Sequence, residues 1–541
     1  MKINTNQYFL NSSIYLFVLV ISIFILLPIF SIFTGILNTK TEYLNFLTNS
    51  ELSQYIKNSL TIVFFVSLIT LFLGVISAYL VSFYNFYGVN FFKYSLLLSF
   101  AIPPYIFAYN FSAFFEQYGT LYQLFSLFLN DERANNFLPK FGPLLSSIIS
   151  LSLTLFGYVF ILSRSSFINQ SRNLIEVGKN LGFSNYNNFF KVIVPSSRPA
   201  IFVGLSLVAM ETLADFGTVS FFGISTFTTG IYNSWFIFDD LQSANLLSFL
   251  LLVFILTFFY LENFSRNNLK YYVSSQAVKK KTEKIQLKGF KEFSAFLFCL
   301  SLFSISFLFP LFQMFSWALS SSTYFNNNEL IELNFNSIKL ILISSLLIIC
   351  LSFFVNFGIR TIKSRLLKIC SSLSISGYAI PGIVISVAII SFFSFIDNQF
   401  NINIKKYFIG SIAGLVLGYC IRFYSISFNS IKTVYMKINK SIDESALLLG
   451  FNKLKILKNI HFPLLKKNFV FAFLLISIEI IKELPITLIL RPFNFETFST
   501  KAFNYASNDL IEAASIPSLF IIFWSTVLIF LSIKFFLMDK K

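Results

Sequence analysis

Apolar runs near or above the roughly 18 to 20 residues needed to cross a hydrocarbon core recur from one end of this chain to the other, leaving no gap wide enough for a sizeable soluble domain. A backbone in lipid must satisfy its N–H and C=O groups within its own segment or in a closed barrel, and continuous rather than alternating runs select helices. Composition agrees: of 541 residues, 56% are hydrophobic and 12% charged, with a mean hydropathy of +0.73, whereas a soluble domain carries about 25% charged residues. The expected fold class is therefore all-α, a polytopic membrane protein.

The runs predict about twelve transmembrane helices, near 14–35, 59–83, 92–114, 144–167, 198–222 and 243–263, then near 292–318, 336–359, 369–396, 407–428, 468–490 and 516–537. The first follows a single lysine, Lys2, and lacks a small-residue cleavage site, so it is expected to be retained. Between the two sets lies 265–291, with Arg266, Lys270, Lys279, Lys280, Lys281, Lys284, Lys288 and Lys291. It reads as a basic cytosolic linker that anchors topology, with anionic membrane lipid as an alternative contact. Placing both termini in the cytosol puts roughly 30 Lys and Arg inside and about 8 outside, as the positive-inside rule requires. The formal charge of +17 thus reflects orientation rather than nucleic acid. Cys299, Cys350, Cys370 and Cys420 lie in or beside apolar runs without CxxC spacing, which points to small hydrophobes rather than disulfides or zinc.

An internal repeat is written in unlike residues at fixed spacing. Glu176, Gly182 and Pro195 recur as Glu444, Gly450 and Pro463, and Glu211 and Asp215 recur as Glu479 and Glu483, all 268 positions later. Ala101-Ile102-Pro103 recurs as Ala379-Ile380-Pro381, and Phe227-Thr228-Thr229 with Asn233 as Phe498-Ser499-Thr500 with Asn504, each after a small indel. The expected organisation is two tandem homologous six-helix halves, 1–264 and 292–541, joined by 265–291. An even number of spans per copy gives both the same orientation, hence a pseudo-two-fold axis along the membrane normal and a pathway between them.

The inside loops 173–195 and 441–463 share one layout. Leu174, Ile175, Val177 and Leu181, then Phe189, Phe190, Val192 and Ile193, give two short helices an apolar face. Gly182-Phe183-Ser184 supplies a break and an N-cap. Ile442, Ala446, Leu449, Gly450-Phe451-Asn452, Leu454, Leu457 and Ile460 repeat the plan, and Pro195 and Pro463 are expected to stop the second helix before the next span. Gly178 within a helical turn weakens it by up to about 1 kcal/mol relative to Ala, so the two loops are expected to act unequally. Taken alone, each loop also fits an amphipathic segment on the membrane surface. His461 reads as a polar surface residue, with pH sensing or ligation as the alternative.

A cytosolic loop of form Glu-Ala-Ala, then Gly, then Ile-x-Leu-Pro is the coupling motif of binding-protein-dependent ABC importer permeases, and this chain resembles it twice and imperfectly, with the Glu-to-Gly and Gly-to-Pro spacings intact but Glu176-Val177-Gly178 with Val192-Ile193-Val194-Pro195 and Glu444-Ser445-Ala446 with Ile460-His461-Phe462-Pro463 in place of the motif's residues. In that family this helix sits in a groove of a cytosolic ATPase. The resemblance implies that Glu176 and Glu444 orient the contact while Gly182 and Gly450 permit the turn. No Gly-x-x-x-x-Gly-Lys-Ser/Thr phosphate loop occurs in the chain, so ATP and Mg belong to a partner, and the chain is expected to be a transport subunit without cofactor or enzyme activity of its own.

Acids within membrane spans are costly, which makes Glu211, Asp215, Glu479 and Glu483 functional candidates. Spaced i, i+4, each pair is expected to share one helix face, either on a pathway between the halves or in an internal network with Lys482 as charge partner. Glu211–Phe236, ETLADFGTVSFFGISTFTTGIYNSWF, together with Lys482–Thr497, KELPITLILRPFNFET, and Gly377–Gly382, GYAIPG, resembles fused ferric-iron importer permeases. That implies the type I importer fold in a bacterial inner membrane, a periplasmic binding protein that delivers Fe(III), two ATPase subunits below, and no tightly bound metal in this chain. Fused thiamine permeases are relatives, and a proton-coupled carrier using the four acids is the alternative from another class.

Overall fold

The computed structural model describes residues 5–36, 50–169, 178, 180, 182–267, 284–321, 327–362 and 364–538. Among them run twelve principal helices: α1 (Thr5–Ile36), α2 (Leu52–Phe83), α3 (Pro104–Phe115), α4 (Pro143–Asn169), α5 (Val194–Ala214), α6 (Leu241–Asn267), α7 (Phe290–Ser320), α8 (Asn327–Thr361), α9 (Gly382–Phe400), α10 (Ile412–Tyr435), α11 (Phe462–Lys482) and α12 (Ile511–Met538). Nine helices among the described residues are long and apolar enough to cross a membrane, and the bent pair Val89–Ala101 and Pro104–Ser126 makes a tenth. The apolar part of α6 is shorter, Leu241–Thr257, and α11 carries Lys466, Lys467, Glu479 and Lys482. Outward faces are apolar, with Phe30, Phe64, Phe72, Leu346, Phe523 and Phe530 exposed, as lipid contact requires.

Small residues set how closely the helices approach. A Cβ on Gly74 of α2 would lie 2.6 Å from Val159 Cβ of α4, and one on Gly358 of α8 would collide with Val18 Cγ2 of α1. The second contact belongs to an exchange of first helices. Helix α1 packs on α9, α8 and the helix Arg365–Ser374, while α7 packs on α3 and the turn Leu96–Ala101. Each thus reaches across to the other half. Ser31 Oγ of α1 donates to Ala388 O of α9 at 2.9 Å, and Ser391 Oγ to Asn245 Oδ1 of α6 at 2.9 Å.

Four expected helices are broken rather than continuous. The segment expected at 92–114 tightens to a 3-10 turn over Leu96–Ala101, extends at Ile102 and restarts after Pro103, with a bend of 89°. That expected at 369–396 does the same over Ile375–Ala379, Ile380 and Pro381. Proline bars the α conformation from the residue before it and offers no N–H to the ladder, so both helices stop there. The segments at 198–222 and 468–490 break at Asp215 and Glu483, which are extended, and restart as Gly217–Phe221 and Pro485–Leu490. In these two the acid is the stop signal. Asp215 Oδ2 accepts from Thr218 N and Val219 N at 3.1 and 3.2 Å, and Glu483 Oε1 accepts from Ile486 N at 3.2 Å, satisfying N–H groups that a restarted helix leaves without partners.

Candidate functional site

Three of the four breaks line one cleft, and the fourth adjoins it through Gly382. Phe100, Ile102, Pro103, Asp215, Phe216, Glu483 and Leu484 line the cleft with Glu211, Glu479, Arg422 and Lys482, enclosing about 730 Å³ including open solvent. Backbone beside the cleft is fixed by a matched pair of hydroxyl bonds. Thr228 Oγ1 donates to Asp215 O at 2.7 Å and Ser499 Oγ to Glu483 O at 2.9 Å, each from a short helix opened by a threonine capping box, Thr226 with Thr229 and Thr497 with Thr500. All four candidate acids line the cleft, but Glu211 and Asp215, like Glu479 and Glu483, do not share the face of one helix. The second acid of each pair turns away with the broken chain to cap the next helix.

Arg422 was not among the sequence candidates. It is buried on α10, with Nη1 3.1 Å from Glu483 Oε1 and Nη2 3.9 Å from Glu211 Oε2. It therefore joins a carboxyl from each half. At the repeat offset of 268 the first half has Thr154, which lines the same cleft without charge. An arginine in the apolar run of 407–428 was the available signal, since such a residue needs a partner inside the membrane. Lys482, the partner expected from sequence, reaches Glu479 at 3.6 Å and Phe100 O across the halves at 3.4 Å. Glycines admit the charges: a Cβ on Gly382 would sit 2.5 Å from both Arg422 Nη1 and Glu483 Oε1. Among the described residues no three His, Cys, Asp or Glu side chains converge as a metal site.

Residues 70–267 match the family of binding-protein-dependent transport system inner membrane components. The chain is also 22% identical over 498 residues, 92% of each chain, to the Fe(3+)-transport system permease protein FbpB 2 of Haemophilus influenzae. A probable sulfate transport system permease protein of Chlorella vulgaris is 27% identical over 156 residues, 29% of this chain and 56% of that relative. Similarity to transport permeases thus spans nearly the whole chain.

At one end of the bundle lie the described parts of the loops 173–195 and 441–463. In the second, Lys440–Leu448 is helical, Gly450 turns the chain at φ +82°, Asn452 caps Lys453–Ile456, and a π turn, Leu457–His461, leads into α11. In the first, Gly182 sits at φ +76° and the π turn Phe189–Ile193 leads into α5; Glu176 lies outside the described residues. Among the described residues no atom comes within 4 Å of a Cβ on either Gly182 or Gly450, so the left-handed backbone alone accounts for glycine there. Pro195 and Pro463 do not stop a helix. Each follows a π turn in the first turn of α5 or α11, where the locally widened ladder accommodates a residue without an N–H.

His461 is no surface residue. It is fully buried, its Nε2 2.8 Å from Asp443 Oδ1 and its Nδ1 3.2 Å from Tyr435 OH. Arg360 at the end of α8 completes a latch, donating to Asp443 Oδ2 at 2.6 Å and to Tyr435 O and Ile438 O at 2.8 and 3.1 Å. Burial, outweighing the attraction of Asp443, holds the imidazole below its ordinary range. Burial also pushes the Asp443 carboxyl upward, but Arg360 and His461 together outweigh it and hold that group low. Beyond the latch, Leu447, Leu448, Leu449 and Leu454 are exposed at the loop tip.

Proposed function

We propose that the permease passes ferric iron, received from a periplasmic binding protein, through the cleft between its halves, while two cytosolic ATPase subunits seated on the loops 173–195 and 441–463 drive alternating access. The observation that carries the substrate reading is the cleft's donor set: four carboxyl groups against two cations where three broken helices meet. Hard Fe(III) favours oxygen donors, and donors supplied from both halves suit transient passage rather than storage. Similarity along nearly the whole length to a permease named for Fe(3+) transport supports the same substrate. The two loops, each with a left-handed glycine and one with an exposed leucine tip, support the docking of a separate ATPase, as does the match of residues 70–267 to binding-protein-dependent transport components. Under this reading Glu176 and Glu444 orient the ATPase contact, both termini are cytosolic, and the protein resides in the bacterial inner membrane.

Uptake of radiolabelled Fe(III) by cells carrying the chain with its binding protein and ATPase tests the reading against Glu211→Gln/Glu479→Gln, with labelled thiamine in parallel. ATP-dependent iron uptake lost in the double variant is the expected result. Thiamine uptake without iron uptake overturns the substrate, and ATP-independent uptake overturns the ABC mechanism.

A further inference from the structure

The end of the bundle that bears the inside loops holds a second concentration of charge, away from the cleft. Lys93 lies on the short helix Val89–Ser95, Arg164 near the end of α4, and Lys284 within the linker, where the described chain resumes. Their backbone and ring contacts hold them in place. Arg164 Nη1 donates to Lys93 O at 3.2 Å, its guanidinium stands 5.8 Å over the Tyr94 ring, and Lys284 Nζ donates to Val81 O at 2.6 Å. Lys93 Nζ donates to Asn90 Oδ1, and Lys93, Arg164 and Lys284 lie close enough for their charges to act on one another. Burial, followed by the like charges of Lys93 and Arg164, pushes the Lys284 ammonium down to about 8. Arg164 Nε is buried without a hydrogen-bond partner among the described residues. None of the three cations forms an ion pair with a described carboxylate.

Three cations converging in a half-buried place repel one another, and an anion between them removes that repulsion. The surroundings identify its source. Tyr87, Phe91, Phe290 and Phe293 stand exposed beside the cluster, with Tyr87 packed on Phe296 at 5.5 Å and Phe91 on Phe303 at 5.4 Å. An exposed tyrosine such as Tyr87 at the end of a membrane bundle marks headgroup depth, with the phenylalanine rings in the apolar layer beside it. We propose that Lys93, Arg164 and Lys284 bind the phosphate of an anionic lipid headgroup, which fastens the linker to the first half. The chain around the site is already built for that junction. Tyr84–Asn85 pairs in parallel with Ile285–Gln286, Asn85 Nδ2 donates to Gln286 Oε1 at 2.7 Å, and Tyr87 N to Glu292 Oε1 at 3.1 Å. A lipid phosphate there offers oxygens to a planar guanidinium and two ammonium groups at once.

The test uses full-length permease purified in detergent, with thermal unfolding followed after addition of phosphatidylglycerol, phosphatidylcholine or inorganic phosphate. Phosphatidylglycerol is expected to raise the midpoint by about 3 °C more than phosphatidylcholine, and Lys93→Gln/Arg164→Gln/Lys284→Gln is expected to lose that difference. If the triple variant does not fold, Lys93→Gln alone, which leaves the carbonyl bonds of Arg164 and Lys284 in place, is expected to lose part of it. Equal protection of wild type and variant by phosphatidylglycerol overturns the site. Protection by inorganic phosphate but not by phosphatidylglycerol overturns the lipid as its occupant.

Discussion

Arg422 shows what one side chain can hold together. Its guanidinium lies against carboxyl groups from both halves, and removing one partner of a buried pair leaves the other charge without compensation, at a cost of about 3–5 kcal/mol. Arg422→Met is therefore expected to lower the unfolding midpoint of the purified protein, and Arg422→Met/Glu483→Met to recover most of the loss while transport stays impaired. A double variant no more stable than the single one would show that the pair is not the source of the effect. The buried His461 imidazole differs from a histidine on the surface, because its protonation works against the fold. Both His461 and Asp443 titrate below their ordinary ranges, so the latch is complete above about pH 6.5 and is lost as pH falls, first through His461 and then through Asp443. Trypsin cleavage at Lys453 and Lys455, measured relative to Lys191 in the first loop, should quicken below about pH 6.5. A ratio independent of pH would contradict the latch.

At the scale of elements, the loops 173–195 and 441–463 depend on one backbone angle each, at Gly182 and Gly450. Gly450 at φ +82° has open space for a methyl group, so Gly450→Ala reports conformational strain alone, about 1–2 kcal/mol. Hydrogen exchange over Lys440–Lys455 should rise accordingly with little change in the membrane helices. Gly450→Pro, unable to adopt positive φ, is expected to uncouple ATP hydrolysis from transport while insertion persists; unchanged coupled transport would remove the loop from the mechanism. The two loops are not equivalent. Where the second has Asp443 and His461, the first has Ile175 and Ile193, so only the second carries the polar latch that fastens it to α8 and α10.

In the whole molecule, the halves are held together by exchanged helices rather than by the linker alone. Helix α1 packs on α8 and α9, and α7 on α3, so burial of these helices depends on the presence of both halves. Coexpressed pieces ending and beginning within 268–283 are expected to copurify through a tag on either one. Recovery of each piece as a separate, stable monomer would contradict the exchange. The lipid site proposed above lies at the same junction and acts with these contacts.

Membrane residence, the helical class and the two-copy layout were legible in the chain itself, because apolar run length, loop charge and the spacing of Glu, Gly and Pro are properties of local sequence. Pro103 and Pro381 also carried the signal for two of the helix breaks. The cleft was legible only in part. Its four acids stood out as costly charges in apolar runs, yet which of them cap a broken helix depends on backbone N–H groups three and four residues on that become available only when the chain turns. Likewise, the meeting of Arg422 with Glu211, and of Arg360 with the pair Asp443 and His461, joins residues far apart in sequence. Helix packing brings them together, and spacing along the chain carries no record of that packing.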